Sequence, residues 1–181
     1  MSTNAARLRE GETLADRIIK VNHAGEHGAV NIYRGQRTAC WWRDADLKAG
    51  LEELRSHEET HRAIFATELK RRGRPRCRSY HLCGIGGLFL GLVTGLCGRA
   101  SIAATTVAVE RVVLRHLKEQ VRALRDVDAN ATYAIDSIVQ DEQAHHDRAA
   151  LEPRQGIFWP HLLGPAVSAA TEAVIWLGMR L

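Results

Sequence analysis

The sequence predicts an all-α fold: a four-helix bundle of two helical hairpins joined by an apolar crossover, with a further helix at the C-terminal end. Three observations carry this. Proline is scarce, at 4 of 181 residues, and no Asn-Gly or Asp-Gly pair marks a hairpin turn between strands. Apolar residues recur at steps of three and four along several long stretches, the period of one helix face. The pattern also repeats. Glu58-x-x-His61 returns as Glu142-x-x-His145, and each glutamate follows another, Glu26 or Glu110, by 32 residues.

Thr13 is the N-cap expected for the first helix, with Asp16 in its first turn, where negative charge is favoured. Ile19, His23, Glu26, Val30 and Tyr33 share a face, so a carboxylate sits among core positions. The pattern runs to about Trp42 and stops at Arg43-Asp44-Ala45-Asp46. The second helix is expected from near Asp46 to Gly73, past Lys70-Arg71-Arg72. Its inward stripe reads Leu47, Leu51, Leu54, Glu58, His61 and Phe65, which places Glu-x-x-His on the buried side.

Residues 74–100 form the crossover. Arg74-Pro75-Arg76-Cys77-Arg78 is basic and broken by proline, and Leu82 to Cys97 carries no charge. That run is shorter than the roughly 20 residues that cross a bilayer as a helix. Gly87, Gly91 and Gly95 stand at four-residue steps, which permits close helix packing. The segment is expected either to pack in the bundle or to dip into a membrane surface, with arginines at both ends for headgroups.

A third helix is expected from about Ser101 to Leu124, with Val107, Glu110, Val113, Leu114, Leu117 and Val121 on one face. Arg125-Asp126-Val127-Asp128 breaks it. The fourth carries Ile135, Ile138, Glu142, His145 and Ala149 inward and stops at Pro153. A last helix, from about Pro165 to Leu181, has few charges and is expected to cover the bundle or join the crossover at a membrane. Residues 1–12 read as a flexible N-terminus and 13–181 as a single domain, a size that can bury a core of its own.

In both halves an Arg-Asp-x-Asp turn falls near the middle of the 32-residue interval. With a rise of about 1.5 Å per residue, antiparallel helices then bring the two carboxylates of each hairpin to one height. Four glutamates and two histidines face inward at one level: Glu26, Glu58, His61, Glu110, Glu142 and His145. Four carboxylates balance two divalent cations, and this oxygen-rich set with one imidazole per ion suits iron or manganese better than zinc. Without cations, each close carboxylate pair would cost about 4 kcal/mol in a protein-like dielectric. Arg34, Arg62 or Arg111 could neutralise one or two such positions, but not six in register. The set is that of ferritin-like two-metal carboxylate bundles.

His27, His57 and His146 lie beside these candidates but turn about 100° away, so they are expected as outer supports or surface groups. His116 reads as an ordinary, partly buried histidine. Asp141 is expected to accept a proton from a ligand imidazole and orient it. Cys40, Cys77, Cys83 and Cys97 include no Cys-x-x-Cys pair and read as reduced, mostly buried thiols. Cys77, His81 and Cys83 do not have the spacing of a common zinc site. The net charge of +4 and pI near 9.1 do not select a partner. The first dozen residues lack an apolar export segment, and Glu10 and Glu12 argue against a transit peptide, so the protein is expected to act where it is made.

The stretch Asp16-Arg17-Ile18-Ile19-Lys20-Val21-Asn22-His23-Ala24-Gly25-Glu26 resembles the opening of the demethoxyubiquinone hydroxylase family of ubiquinone biosynthesis. So do Thr106-Val107-Ala108-Val109-Glu110 and Asp141-Glu142 through His145-His146-Asp147. The resemblance covers nearly all of residues 14–181. It implies a di-iron monooxygenase that hydroxylates the ring of a polyprenyl demethoxyubiquinol, the step before the last O-methylation, with O2 as co-substrate and electrons from NADH. It implies Glu26, Glu58, His61, Glu110, Glu142 and His145 as ligands of two iron ions, with Glu58 and Glu142 bridging.

It also implies a peripheral protein on the cytoplasmic side of the cell membrane or, alternatively, on the matrix side of the mitochondrial inner membrane. An accessory lipid-binding protein or a second copy of the chain is a conceivable partner, and no nucleic acid is expected. Ser79-Tyr80-His81-Leu82 is more polar than the family's apolar piece at this place. No Gly-x-Gly-x-x-Gly stretch is present, so no Rossmann domain is expected. Two competing functions remain: a ferritin-like iron store using the same ligands, and a metal-free membrane scaffold that binds through Lys70–Arg78.

Overall fold

The structure is a computed structural model that describes residues 6–40, 45–152 and 159–181. Six α-helices follow in order: α1 (Leu14–Ala39), α2 (Ala45–Arg71), α3 (Tyr80–Cys97), α4 (Arg99–Leu124), α5 (Ala129–Ala150) and α6 (Gly164–Gly178). A π-helical turn, Trp159–Leu163, precedes α6. No strand occurs among the described residues. The expected bundle is present: α1 pairs with α2 and α4 with α5, α3 lies along α1, and α6 lies along α4.

Local chemistry sets the helix ends. Thr13 caps α1 as expected: its hydroxyl accepts from the Asp16 backbone N–H at 3.1 Å, and the Asp16 carboxylate accepts from the Thr13 N–H at 3.0 Å. Asp128 caps α5 by accepting from the Ala131 N–H at 3.0 Å. Gly73, at φ +61°, ends α2: its N–H and that of Arg74 bond back to the Lys70 and Leu69 carbonyls. Gly98 alone, at φ +98°, separates α3 from α4. The Trp41–Asp44 part of the expected first turn, and Pro153, lie outside the described residues.

The crossover resolves into α3, a helix with two unlike faces. Its buried face is largely glycine and meets α1 backbone to backbone. A Cβ at Gly87 would overlap the Gly28 carbonyl, and one at Gly91 the Ile32 carbonyl. Its outer face exposes Leu82, Ile85, Phe89, Val93 and Leu96. The polar stretch at its start has a structural use: buried Tyr80 stacks on His27 and His23 of α1, with ring centroids 4.0 and 5.0 Å away.

Residues 6–12 are the described part of the stretch expected as a flexible N-terminus. They lie against the end of α6. The Arg7 N–H donates to the Met179 carbonyl at 3.0 Å, and Arg9 reaches the Leu181 carbonyl. Glu12 is buried, pairing with Arg17 at 2.6 Å and Lys20 at 2.7 Å. Arg17 continues to the Gly178 carbonyl at 3.1 Å.

Two apolar plugs fill the bundle. One joins Ile18, Ile19, Phe65, Leu117, Leu124 and Ile138 with neighbours, and the other joins Tyr33, Cys40, Leu47, Leu51 and Ile102. Between them, at mid-height, lie the polar residues marked by the repeat.

Candidate metal centre

All six expected ligands are buried: Glu26, Glu58, His61, Glu110, Glu142 and His145 are at most 5% exposed. They fall into two overlapping groups. Glu26, Glu58, His61 and Glu142 offer ligand atoms within 4.8 Å of one another, and so do Glu58, Glu110, Glu142 and His145. Glu58 and Glu142 belong to both groups. Each hairpin supplies one outer glutamate, one shared glutamate and one imidazole, as the repeat requires.

The contacts cross between the halves. His61 Nδ1 of α2 lies 3.0 Å from Glu142 Oε1 of α5, and His145 Nδ1 of α5 lies 3.2 Å from Glu58 Oε1 of α2. Within each Glu-x-x-His the separations are longer, 3.7 and 3.4 Å. These approaches lack hydrogen-bond geometry. Glu58 Oε1, both Glu142 oxygens and both imidazole Nδ1 atoms have no hydrogen-bond partner. Buried polar atoms are nearly always paired, so five unpartnered atoms in one place mark a donor set directed at a shared third body. The ion pairs of Glu58 and Glu142 are with imidazoles, not with Arg34, Arg62 or Arg111. Arg62 instead reaches His27, at 3.3 Å.

The electrostatics agree. Burial, and then the charges of Glu142 and Glu58, push the Glu26 and Glu110 carboxyls well above the usual range. Burial lowers the imidazoles, but Glu142 and Glu58 outweigh it and lift His61 to about 10 and His145 to about 9. Burial raises Glu58, yet the neighbouring imidazoles of His145 and His61 hold it low. A site that gathers protons in this way is one in which divalent cations can replace them.

Around this set stand residues of less obvious role. Asp141, expected to accept from a ligand imidazole, places its Oδ2 3.2 Å from His61 Nε2. His57 is exposed, yet its Nδ1 lies 3.0 Å from His145 Nε2. The Tyr33 hydroxyl donates to Glu110 Oε1 at 3.2 Å. Sequence reasoning took Tyr33 for core; the available signal was its place two helical turns after Glu26. His116 is buried and bonds Glu172 of α6 at 3.0 Å, His27 stacks on Tyr80, and His146 faces Asp147 at 2.9 Å.

The four glutamates form one wall of a cavity of about 440 Å³ whose other walls are mainly apolar, including Ile32, Leu90, Val109, Val167 and Val174. Leu82 and Phe89 of α3 line it too, and both are exposed. The cavity therefore runs from the carboxylates toward the outer apolar face of α3. A second cavity, of about 550 Å³ between α4 and α6, is lined by none of the six.

Comparison with known proteins completes the description. Residues 13–178 match the family model of the ubiquinone biosynthesis protein COQ7. The chain belongs to this family. Among curated members, it is 35% identical to a 3-demethoxyubiquinol 3-hydroxylase of Rhodospirillum rubrum, over 93% of this chain and 79% of that one. It is 34% identical to a Dictyostelium discoideum protein, over 93% and 78%, and 30% identical to a human one, over 92% and 77%. Both of these are named NADPH-dependent 3-demethoxyubiquinone 3-hydroxylase, mitochondrial. The COQ7 relatives share the helical fold expected from the repeat, and their names describe hydroxylases.

Proposed function

We propose that this chain hydroxylates the ring of a polyprenyl demethoxyubiquinol, the reaction that its relatives' names describe, at a centre of two iron ions. One observation carries the reading: six buried candidate ligands come together with five unpartnered donor atoms among them, and their four glutamates line an apolar cavity that reaches the surface. Glu26, Glu58, His61 and Glu142 would hold one ion, and Glu58, Glu110, Glu142 and His145 the other. Two iron ions there would supply the reduction of O2 and the transfer of one oxygen atom to an aromatic carbon.

The chain's own residues do the rest. The two plugs and the cavity walls keep the site dry, which strengthens the electrostatics within it. Asp141 holds the ring of His61, and Tyr33 holds Glu110. The mainly apolar cavity accepts an aromatic ring and the start of an isoprenoid tail, with the tail leaving past Leu82 and Phe89.

The exposed stripe Leu82, Ile85, Phe89, Val93 and Leu96 suits docking on the surface of the membrane that holds the quinone. That membrane is the cell membrane, met from the cytoplasm, or the mitochondrial inner membrane, met from the matrix. Leu82→Asp with Phe89→Asp should release the protein from vesicles in flotation. Retained flotation would count against membrane docking through α3, and binding to a second copy or to a lipid-presenting protein instead would give the stripe a protein occupant.

The deciding measurement is iron per chain together with hydroxylation of a short-tailed demethoxyquinol on the same preparation, under O2 with NADH or NADPH. Two irons and catalytic product support the reading, and the nucleotide that sustains turnover identifies the reductant. Iron that accumulates as mineral without product would indicate storage. An iron-free, inactive protein would reduce the chain to a surface scaffold.

A further inference from the structure

We propose that His57 is a positioning residue for His145, as Asp141 is for His61, and that this exchange of imidazole for carboxylate makes the two metal positions unequal in affinity. The inference rests on the two-metal reading above.

His57 and Asp141 occupy the same register, each one residue before a shared glutamate. Each turns about 100° from the inward face of its own helix. Each instead reaches across to the opposite hairpin. Asp141 Oδ2 of α5 lies 3.2 Å from His61 Nε2 of α2, and His57 Nδ1 of α2 lies 3.0 Å from His145 Nε2 of α5. The His57 and His145 rings also stack, 5.3 Å apart and 20° from parallel. In both cases the contacted nitrogen is the outer one, and Nδ1 of the same ring is the unpartnered atom among the glutamates. The two contacts are counterparts despite their different chemistry.

That difference has a consequence. An imidazole that offers its Nδ1 lone pair to a cation carries its proton on Nε2 and donates from there. His61 donates to a carboxylate. His145 donates to the Nδ1 lone pair of His57, whose own proton is then on Nε2. A carboxylate acceptor draws on the shared proton harder than a neutral imidazole does and makes the ligating nitrogen more basic. Both partners fix the ring's orientation, but only Asp141 adds negative charge.

Tyr33 acts in the same direction. Its hydroxyl donates to Glu110, the one carboxylate exclusive to the His145 group, and so takes electron density from that position. The position built on His61 is the tighter, and the one built on His145 the weaker.

Co2+ titration of the metal-free chain, followed by visible absorption and equilibrium dialysis, tests this. Wild type should take up two ions in steps separated by about tenfold or more. His57→Phe should weaken the second step by roughly 10- to 100-fold and leave the first within about twofold. His57→Asp should draw the two steps together, and His145→Ala, which removes the weaker step, assigns it. Because His57 is exposed, far-UV circular dichroism and the melting temperature of the metal-free His57→Phe variant should match wild type. Two equal steps in wild type, or an unchanged second step in His57→Phe, would overturn the inference while leaving the two-metal reading intact. No saturable Co2+ uptake by wild type would overturn both.

Discussion

Two of the charge clusters inside this bundle are built on opposite principles. Near the end that holds the caps of α1 and α5, the Arg72 guanidinium is surrounded by Glu68 at 2.6 Å, Asp128 at 2.8 Å and Asp16 at 3.3 Å, and Arg74 meets Asp16 at 2.9 Å. Every carboxylate there has a cation, and the carboxyls of Glu68, Asp16 and Asp128 are all held low. At mid-height the four glutamates meet two imidazoles and no arginine, and two of the carboxyls are pushed high. The first cluster is complete in itself and ties three helices together. The second is complete only with something added. Interior charge is therefore not one phenomenon: whether the protein supplies the partner separates a structural cluster from a working one.

The contrast can be broken from either side. Glu58→Gln removes a carboxylate shared by both candidate groups, so metal content and hydroxylation should fall to background. The metal-free protein should lose about 1–3 kcal/mol, because the His61 and His145 imidazoles are left without a carboxylate that pairs them. Metal analysis and denaturant unfolding on one preparation check both halves. Arg72→Ala should keep metal content at wild-type level in folded protein and cost about 3 kcal/mol, leaving Asp128 without a cation while Asp16 keeps Arg74 and Glu68 keeps Arg71. Loss of metal from folded Arg72→Ala protein, or its retention by Glu58→Gln, would erase the distinction.

The clusters should also titrate in opposite directions. His61 and His145 have folded-state values raised to about 10 and about 9 from 6.5. Their contribution is thus full below pH 6.5 and is lost as pH rises toward those values. Metal-free protein should therefore melt at lower temperature as pH rises from 6.5, and the loaded protein should not, since cations replace the protons.

At the other end of the scale stands Glu12, a paired carboxylate like those around Arg72. Burial raises it, but Arg17 and Lys20 more than compensate and hold it at about 2, against 4.5 when free. Its contribution is full above pH 4.5 and is lost as pH falls toward 2. Glu12→Gln should flatten that acid limb in unfolding measured by circular dichroism. The smallest effect is expected from Tyr33→Phe, about 1 kcal/mol for one buried hydrogen bond, detectable as a small drop in melting temperature.

The convergence of the six inward-facing residues was legible because their constraints run along the chain. A ligand pair on one helix needs a spacing of three, and matching heights across a hairpin need equal intervals on either side of a turn. The caps at Thr13 and the stop at Gly73 are equally local. His57 was not legible as a partner of His145. Its spacing pointed away from the site, and only the rotation of α2 against α5 decides that it reaches across. Arg72 and Glu12 escaped notice for the same reason, since nothing in a basic or acidic residue's neighbours along the chain tells which distant helix end it meets. For α3, the glycine steps announced a close approach, but the choice of α1 as partner, and of which face stays bare, came from packing alone.

The glycine seam between α1 and α3 has a mechanical meaning. Most helix contacts are cushioned, because side chains between the backbones can change rotamer and absorb a shift of an ångström or so. Where Gly28 meets Gly87 and Ile32 meets Gly91, there is little to yield. The two helices behave as one plate, bare and greasy on one side and carrying Glu26, two residues from Gly28, on the other. A load placed on the outer face of α3 is delivered to the carboxylate with almost no slack.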